Sequence, residues 1–372
     1  MDIQCFNIPK FNFKPFHISQ DNKYFIETLY YYYTSCVVPD YDEKIITHNN
    51  YGNYFHFVPT KIRNYIQQQQ QQQHYIKRMI HFFVNKRHIY IHFNTHKKVS
   101  KIDIKHIIRI ISFISTFSQI NCSTHLDIYI IDTPFKKNIN TFDKEVSQAN
   151  INSAYTFACT ENNFIYIYRK EEWKKVLIHE CIHAFGIDFA IIELHNSFIV
   201  NKKLDSIFHL GINYNMNEAY CETLAVLINI MYLFTTQNKE IELIPFIETR
   251  LVHETIHSLI QSNKLLNHSS LSMRHLLFGK DNTNYTEGTS AISYYFIKLL
   301  FLYNFNTFLS ITHSINNYSL KSNFTHKNIE KFIDLIGKTI RSNNFKKDMK
   351  LAEKLISQCP LLRKTMKLSF YG

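Results

Sequence analysis

The sequence predicts an α+β fold, with a small mixed sheet in the first half and helices in the second. Stretches of alternating apolar and polar residues, typical of strands, appear before residue 170. From Glu171 onward the apolar residues recur almost entirely at helical spacing. The chain has 372 residues, 45% of them hydrophobic, so it can bury a large core in one domain or two lobes.

Strand and helix patterns alternate in the first half. Residues 1–75 are predicted to be an aromatic-rich N-terminal extension, ending in the low-complexity tract Gln67–Gln73, a loop or a helix extension. His88–Phe93 alternates as a strand, Ile102–Phe117 has helical spacing, and Leu126–Ile131 alternates as a strand again.

Residues 76–200 are therefore expected to form an α/β lobe, and residues 201–372 a helical lobe. Five helices are predicted in that second lobe, at 216–236, 244–264, 287–303, 325–341 and 345–357.

The most informative feature is the HExxH pentapeptide that runs from His179 to His183. In a helix these two imidazoles lie one turn apart on one face, close enough to hold one Zn²⁺. Glu180 is then placed to act as a general base on water, a pattern typical of zinc hydrolases. Acidic residues within Arg169–Lys175 suit the start of a helix, and Gly186 stands where the helix can end.

A second HExxH occurs at His253–His257. The chain has 20 histidines, so a chance match is expected at roughly a few per cent. This motif lies in a helix whose apolar positions suit packing, with its His and Glu on the solvated side, and Glu287 is the only obvious later carboxylate. We assign the metal site to the first motif. The alternative for that motif is an amphipathic helix with two exposed histidines.

A catalytic zinc site needs three protein ligands and one open position. The third histidine of an HExxHxxGxxH motif would fall on Phe189, and Asp188, one residue short, suits the end of the metal helix or a cap of the next segment. Glu218 and Glu222 share one face of a predicted helix, and 218 − 183 = 35 positions leave room for the chain to turn back. Glu218 is the predicted third ligand, and Glu222 can accept the ring N–H of a ligating histidine.

HExxH followed by NExxxE on a later helix resembles the gluzincin class of zinc metallopeptidases, which includes thermolysin. The resemblance covers roughly Leu126–Phe234. It implies His179, His183 and Glu218 as zinc ligands, Glu180 as general base and Glu222 behind a ligating histidine. It also implies a zincin-like fold, with the active-site helix on the small sheet and a cleft facing the helical lobe, and hydrolysis of a peptide or protein substrate.

Two upstream segments extend the resemblance. Asn152–Phe157 is similar to the edge strand that aligns a substrate backbone in such enzymes, and Asn163–Tyr168 to the strand before the active-site helix. The second carboxylate departs from the class, since it is Glu rather than Asp. Candidates for the donor that stabilises the oxyanion are Tyr294, Tyr295 and His275.

Composition limits the remaining functions. The net charge is +12, but the lysines are spread in short groups without a nucleic-acid-binding module, so a nucleic-acid partner is not favoured. Seven cysteines without regular spacing argue against a disulfide framework, and Cys181 and Cys221 are expected to be reduced. The first residues lack a basic leader before an apolar stretch, and Lys298 interrupts the longest apolar run. We expect a protein inside the cell, without a membrane span.

Residue usage poor in Gly and rich in Asn, Ile, Lys, Tyr and Phe resembles that of AT-rich genomes, such as those of large DNA viruses. Two other functions stay open. One is a catalytically silent metallopeptidase-like protein with a binding or structural role, for instance in a virus particle. The other is a basic nucleic-acid-associated protein whose HExxH motifs are incidental.

Overall fold

A six-stranded mixed sheet organises the first half of the chain. In this computed structural model the described residues are 11–13, 17–47, 51–72, 74–139, 145–237, 241–279, 285–358 and 365–372, with backbone alone for 191–196 and 326. The strands are β1 (Tyr41–Ile45), β2 (Ile76–Val84), β3 (Arg87–Thr95), β4 (His125–Ile131), β6 (Ala154–Thr156) and β7 (Asn162–Ile167). A separate parallel pair joins β5 (Val146–Ser147) to β8 (Glu287–Gly288).

The spatial order of the sheet is β1-β2-β3-β4-β7-β6. The first two pairs are antiparallel, β3, β4 and β7 run parallel, and β6 pairs antiparallel with β7. The strand β6 therefore forms one edge of the sheet.

The helices of the first half are α1 (Gln20–Ser35), α2 (Thr60–Gln71), α3 (Lys101–Ser115), α4 (Gln148–Ile151) and α5 (Trp173–Ala184). Those of the second half are α6 (Ala190–Phe208), α7 (Met216–Thr236), α8 (Leu243–His268), α9 (Met273–Phe278), α10 (Lys298–Tyr303), α11 (Phe305–Ile315), α12 (His326–Arg341) and α13 (Asn343–Gln358). A short 3₁₀ helix spans Asn53–Phe57, and a π-helix spans Ile292–Ile297 directly before α10.

The two faces of the sheet are covered differently. On one face, buried isoleucines such as Ile91, Ile128 and Ile165 join the main core with α3 and α5. On the other face an aromatic cluster, which includes Tyr129 and Tyr166, packs under residues 51–66. Helix α5, which carries the first HExxH motif, is therefore held on the apolar face of the sheet, beside β7 and β6.

The described part of the predicted N-terminal extension belongs to this architecture. Helix α1 buries Phe25, Leu29 and Tyr33, and β1 is the second edge of the sheet. The Gln tract extends α2 as far as Gln71, whereas Gln73 lies outside the described residues. Residues 1–10, on which the expectation about a leader depends, lie outside them as well.

Helix α7 forms the centre of the helical half and contacts α5, α8 and α10. Within the described chain it is the one helix long and apolar enough to cross a membrane, and 83% of its most apolar window is buried. Burial on all sides by the neighbouring helices accounts for this composition.

The α+β class is confirmed, and five predicted helices appear within a few residues of their expected bounds, as α3, α7, α8, α12 and α13. The predicted helix 287–303 is wrong at its start, because Glu287–Gly288 pairs with Val146–Ser147 as strands. Helical backbone begins only near Ile292, as a π-helix.

The sequence argues against a disulfide framework, but the structure contains one disulfide among the described residues. Cys122 and Cys159 form a disulfide that links chain positions 37 residues apart. Both lie against Gly186, where an added Cβ would come within 2.8 Å of the Cys122 sulfur. The spacing of the cysteines along the sequence does not reveal that these two loops meet. The disulfide weakens the sequence argument for a reducing compartment. Cys181 and Cys221 are free and buried, as predicted.

Candidate metal centre

Helix α5 carries the first HExxH motif and ends where the sequence predicts. Gly186 has φ +64°, the left-handed conformation that a side chain disfavours. Its N–H donates to the carbonyl of His183 at 3.0 Å, and the N–H of Ile187 reaches back to Ile182 at 3.0 Å. This pattern is a Schellman motif, which satisfies the last carbonyls of the helix just after His183.

Three potential ligand atoms converge between α5 and α7. His179 Nε2 lies 3.1 Å from His183 Nε2, and Glu218 Oε2 lies 3.1 and 3.2 Å from these two nitrogens. Zinc–donor distances of about 2.0–2.2 Å in a tetrahedron imply donor–donor distances of roughly 3.3–3.6 Å. The observed triangle is therefore close to the size of one face of a zinc tetrahedron.

The electrostatic environment of this triangle favours a cation. Burial by itself lowers the pKa of His179, but Glu222 and Glu218 outweigh burial and raise the pKa. Burial likewise raises the pKa of Glu218, but His183 and His179 hold that pKa well below its ordinary range. The same carboxylates that favour protonated imidazoles would also attract a divalent metal ion.

Each ligand histidine has its own carboxylate behind it. Glu222 Oε1 lies 3.1 Å from His179 Nδ1, and Asp188 Oδ2 lies 2.5 Å from His183 Nδ1. Such partners fix the tautomer and orientation of a ligand histidine and increase its basicity. Glu222 therefore lies at ion-pair distance from the His179 nitrogen that its predicted role involves, but the two do not have the geometry of a hydrogen bond.

Asp188 combines the two roles considered from the sequence. It pairs with His183, and its other oxygen accepts the N–H of Ala190 at 3.2 Å, at the start of α6. Asn217, on α7, donates to Asp188 Oδ2 at 3.1 Å. Asp188 thus ties the end of α5 to the helix that carries Glu218.

Glu180 lines the cleft beside the ligand triangle and is 8% exposed. Burial raises its pKa above the ordinary value for a glutamate, although His179 and His183 oppose this change. Tyr155, from the edge strand β6, lines the same cleft. Its pKa is raised by burial and by the nearby Glu180. The sequence indicated the strand but did not single out this tyrosine.

The cleft has a volume of about 640 Å³. Strand β6 forms one wall, as expected for Asn152–Phe157, and Thr289 and Ser290 also line the cleft. Thr289 Oγ1 lies 3.0 Å from Asn152 Oδ1, so the walls meet at this point. Apart from the ligands and Glu180, the described lining consists largely of uncharged polar side chains.

Of the three oxyanion-donor candidates, the structure brings only Tyr294 to the centre. Its ring centroid lies 6.2 Å from that of His179, and burial together with the nearby Glu218 and Glu180 raises the pKa of its hydroxyl. It lies on the π-helix, a feature often found at functional sites. The Tyr295 hydroxyl instead donates to the carbonyl of Met366 at 2.5 Å. His275 accepts the Ser272 N–H at 3.0 Å in the cap of α9.

The second HExxH motif serves a different purpose on α8. Glu254, fully buried, accepts hydrogen bonds from Ser369 Oγ at 2.6 Å and from the backbone N–H groups of Phe370 and Tyr371. His257 Nε2 lies 2.9 Å from the carbonyl of Lys367. The motif therefore binds the segment 365–372. The packing interpretation agrees with this arrangement, but Glu254 and His257 are buried rather than solvated.

Within the described part of the chain, one other group of potential metal ligands exists, formed by His183, Asp188 and Cys221. It shares His183 with the first triangle and uses the imidazole nitrogen that faces Asp188. Because one imidazole would have to bridge two ions, we treat Asp188 as a partner of His183 and not as a ligand.

Sequence reasoning also missed Lys175, which lies one helical turn before His179 and is completely buried. Its ammonium group pairs with Glu222 Oε2. The spacing of four residues from His179 was the available signal, because it places both side chains on one face of α5.

Comparison with protein-family models, with curated proteins and with solved structures finds no match to this chain.

Proposed function

We propose that this protein is a zinc-dependent metallopeptidase of the gluzincin type, built on a zincin-like arrangement of sheet, active-site helix and helical lobe. The observation that carries the proposal is the convergence of His179, His183 and Glu218 within 3.1–3.2 Å of one another. Two imidazole nitrogens and one carboxylate oxygen are a donor set that zinc favours, and three protein ligands leave a fourth position open.

A zinc ion held by these residues would supply Lewis acidity toward a peptide carbonyl and would lower the pKa of water. Glu180 would accept the proton of the attacking water and deliver it to the departing amine. Its position beside the ligands, within the cleft, suits both transfers. Glu222 and Asp188 would keep the two imidazoles in the required orientation.

Strand β6 offers a way to place a peptide substrate. As an edge strand along the cleft, it can pair with an extended peptide through backbone hydrogen bonds. Tyr294 lines the same cleft with its ring 6.2 Å from that of His179, so its hydroxyl is the candidate donor to a developing oxyanion. An uncharged polar lining suits peptide segments that are not strongly charged.

The first test is the zinc content of the purified wild-type protein, His179→Ala and His253→Ala, measured by elemental analysis. We expect about one zinc per chain, lost in His179→Ala and retained in His253→Ala. Loss of zinc only in His253→Ala would overturn the assignment of ligands, and a wild type that takes up no zinc would refute the proposal.

Activity is tested with a peptide library and the Glu180→Gln variant. We expect this variant to keep its zinc and to lose at least about 10²-fold in turnover, since it lacks the general base. Zinc binding without turnover on any peptide would instead identify a catalytically silent metal-binding protein.

A further inference from the structure

We propose that Lys175 is a positioning residue of the metal centre, which holds Glu222 in the orientation that directs His179 at the metal. The inference rests on the proposed zinc site and adds a residue that the HExxH and NExxxE motifs do not contain. Glu222 touches both groups: one carboxylate oxygen pairs with Lys175 Nζ, and the other lies 3.1 Å from His179 Nδ1.

Both members of this ion pair are shielded from solvent. Lys175 is 0% exposed and Glu222 is 2% exposed, so neither charge is solvated. A buried carboxylate that loses its partner cation carries a large desolvation penalty. Without Lys175, Glu222 would therefore turn toward another positive group: the His179 ring lies 3.1 Å away, and the charges of Lys298 and Lys137 also act on it.

Little solvent is available to take the place of the lysine. The small cavity bordered by His179, Glu222 and Leu368 has a volume of about 20 Å³, which accommodates no more than one water. Lys298 is already engaged, because its ammonium group donates to the carbonyl of Leu368. The orientation of Glu222 thus depends on Lys175.

A second buried ion pair provides a matched control. Lys137 lies 3.0 Å from Glu172, with side chains that are 1% and 0% exposed. This pair is as buried as Lys175–Glu222, but Glu172 precedes α5 and accepts the N–H of Ser369 instead of contacting a ligand histidine. Lys137 borders the same small cavity as His179 and Glu222 but forms its ion pair with Glu172, so removal of either lysine should destabilise the fold similarly and removal of Lys175 should disturb the metal centre far more.

The test measures the zinc dissociation constant of the full-length protein by competition with a chromophoric chelator. We expect Lys175→Met to bind zinc about 10–100-fold more weakly than wild type, the range found when a partner of a ligand histidine is lost. Lys137→Met should stay within about threefold of wild type. The absorption spectrum of the Co²⁺-substituted protein should change in Lys175→Met and not in Lys137→Met.

A double-mutant cycle shows whether Lys175 acts through Glu222. Zinc affinity in Lys175→Met/Glu222→Gln should equal that in Glu222→Gln alone, whereas independent effects would add. The double variant removes both buried charges, so its comparison with Glu222→Gln remains possible if Lys175→Met does not fold.

Three results would overturn the inference: wild-type zinc affinity in Lys175→Met, equal losses in Lys175→Met and Lys137→Met, or additive effects in the cycle. A wild type that binds no zinc would refute the proposed function as well. If the wild type binds zinc tightly and one of these three results is found, only the role of Lys175 fails.

Discussion

Replacement of Glu254 by alanine tests whether the second HExxH is structural. The Glu254 carboxylate accepts from three donors, Ser369 Oγ at 2.6 Å, Phe370 N at 3.0 Å and Tyr371 N at 3.1 Å. A buried donor left without a partner costs about 1–3 kcal/mol, and hydrogen bonds to a charged group lie toward the upper end. Because part of this loss is relieved by water near Tyr371, we expect the free energy of unfolding to fall by about 3–5 kcal/mol.

The assays are urea unfolding of metal-free protein and, on separate samples prepared with zinc, elemental analysis of the folded fraction. Glu248→Ala, on the same helix, is the control, since Glu248 accepts from the Ile18 N–H, has an exposed ion-pair partner in His17 at 4.0 Å and is itself partly exposed. It should cost about 1 kcal/mol. Folded Glu254→Ala should keep about one zinc per chain. Unchanged stability together with lost zinc would show that the second motif, and not the first, binds the metal.

Two further predictions concern the π-helix region. The Tyr294→Phe variant should bind zinc with an affinity within a few-fold of wild type, because His179, His183 and Glu218 are untouched. Its kcat on a peptide substrate, measured by steady-state kinetics, should fall by about 10²–10³-fold with little change in KM. An unaltered kcat would remove Tyr294 from the mechanism. Burial raises the pKa of Glu287 from 4.5 to about 7, so the folded state binds more protons than the unfolded state between these values, and stability falls as pH rises through this window. Between pH 4.5 and pH 7 the free energy of unfolding of the wild type, measured with urea, should fall by up to about 3 kcal/mol more than that of Glu287→Gln. Parallel pH profiles of the two proteins would contradict the assignment.

Sequence analysis was most successful where the information is local. Apolar periodicity identified α3, α5, α7 and α8 because the side chains of one helical face are only three or four residues apart. The same spacing identified His179 with His183, and Glu218 with Glu222, before any tertiary contact was known. The 35-residue separation of these two pairs was compatible with their meeting but did not require it.

Short or unusual elements were beyond this reasoning. The strands β5 and β8 have two residues each, too few to show alternation, and their pairing across 287 − 146 = 141 positions overturned the predicted start of the helix 287–303. The choice between Tyr294 and Tyr295 depends on the phase of a π-helix, in which hydrogen bonds span five residues instead of four. Neighbouring tyrosines are equivalent in sequence, and only the backbone register directs one of them into the cleft.

The sequence by itself determined the α+β class, the helix of the first HExxH motif with its terminal glycine, and the candidate metal-binding residues of that motif. The tertiary structure decided which of these residues meet: Asp188 with His183, Lys175 with Glu222, Cys122 with Cys159, and Glu254 with the segment 365–372. The physical reason is that helix formation depends on neighbours within one turn, whereas a buried charge or thiol acquires its partner only when distant segments pack together and exclude water.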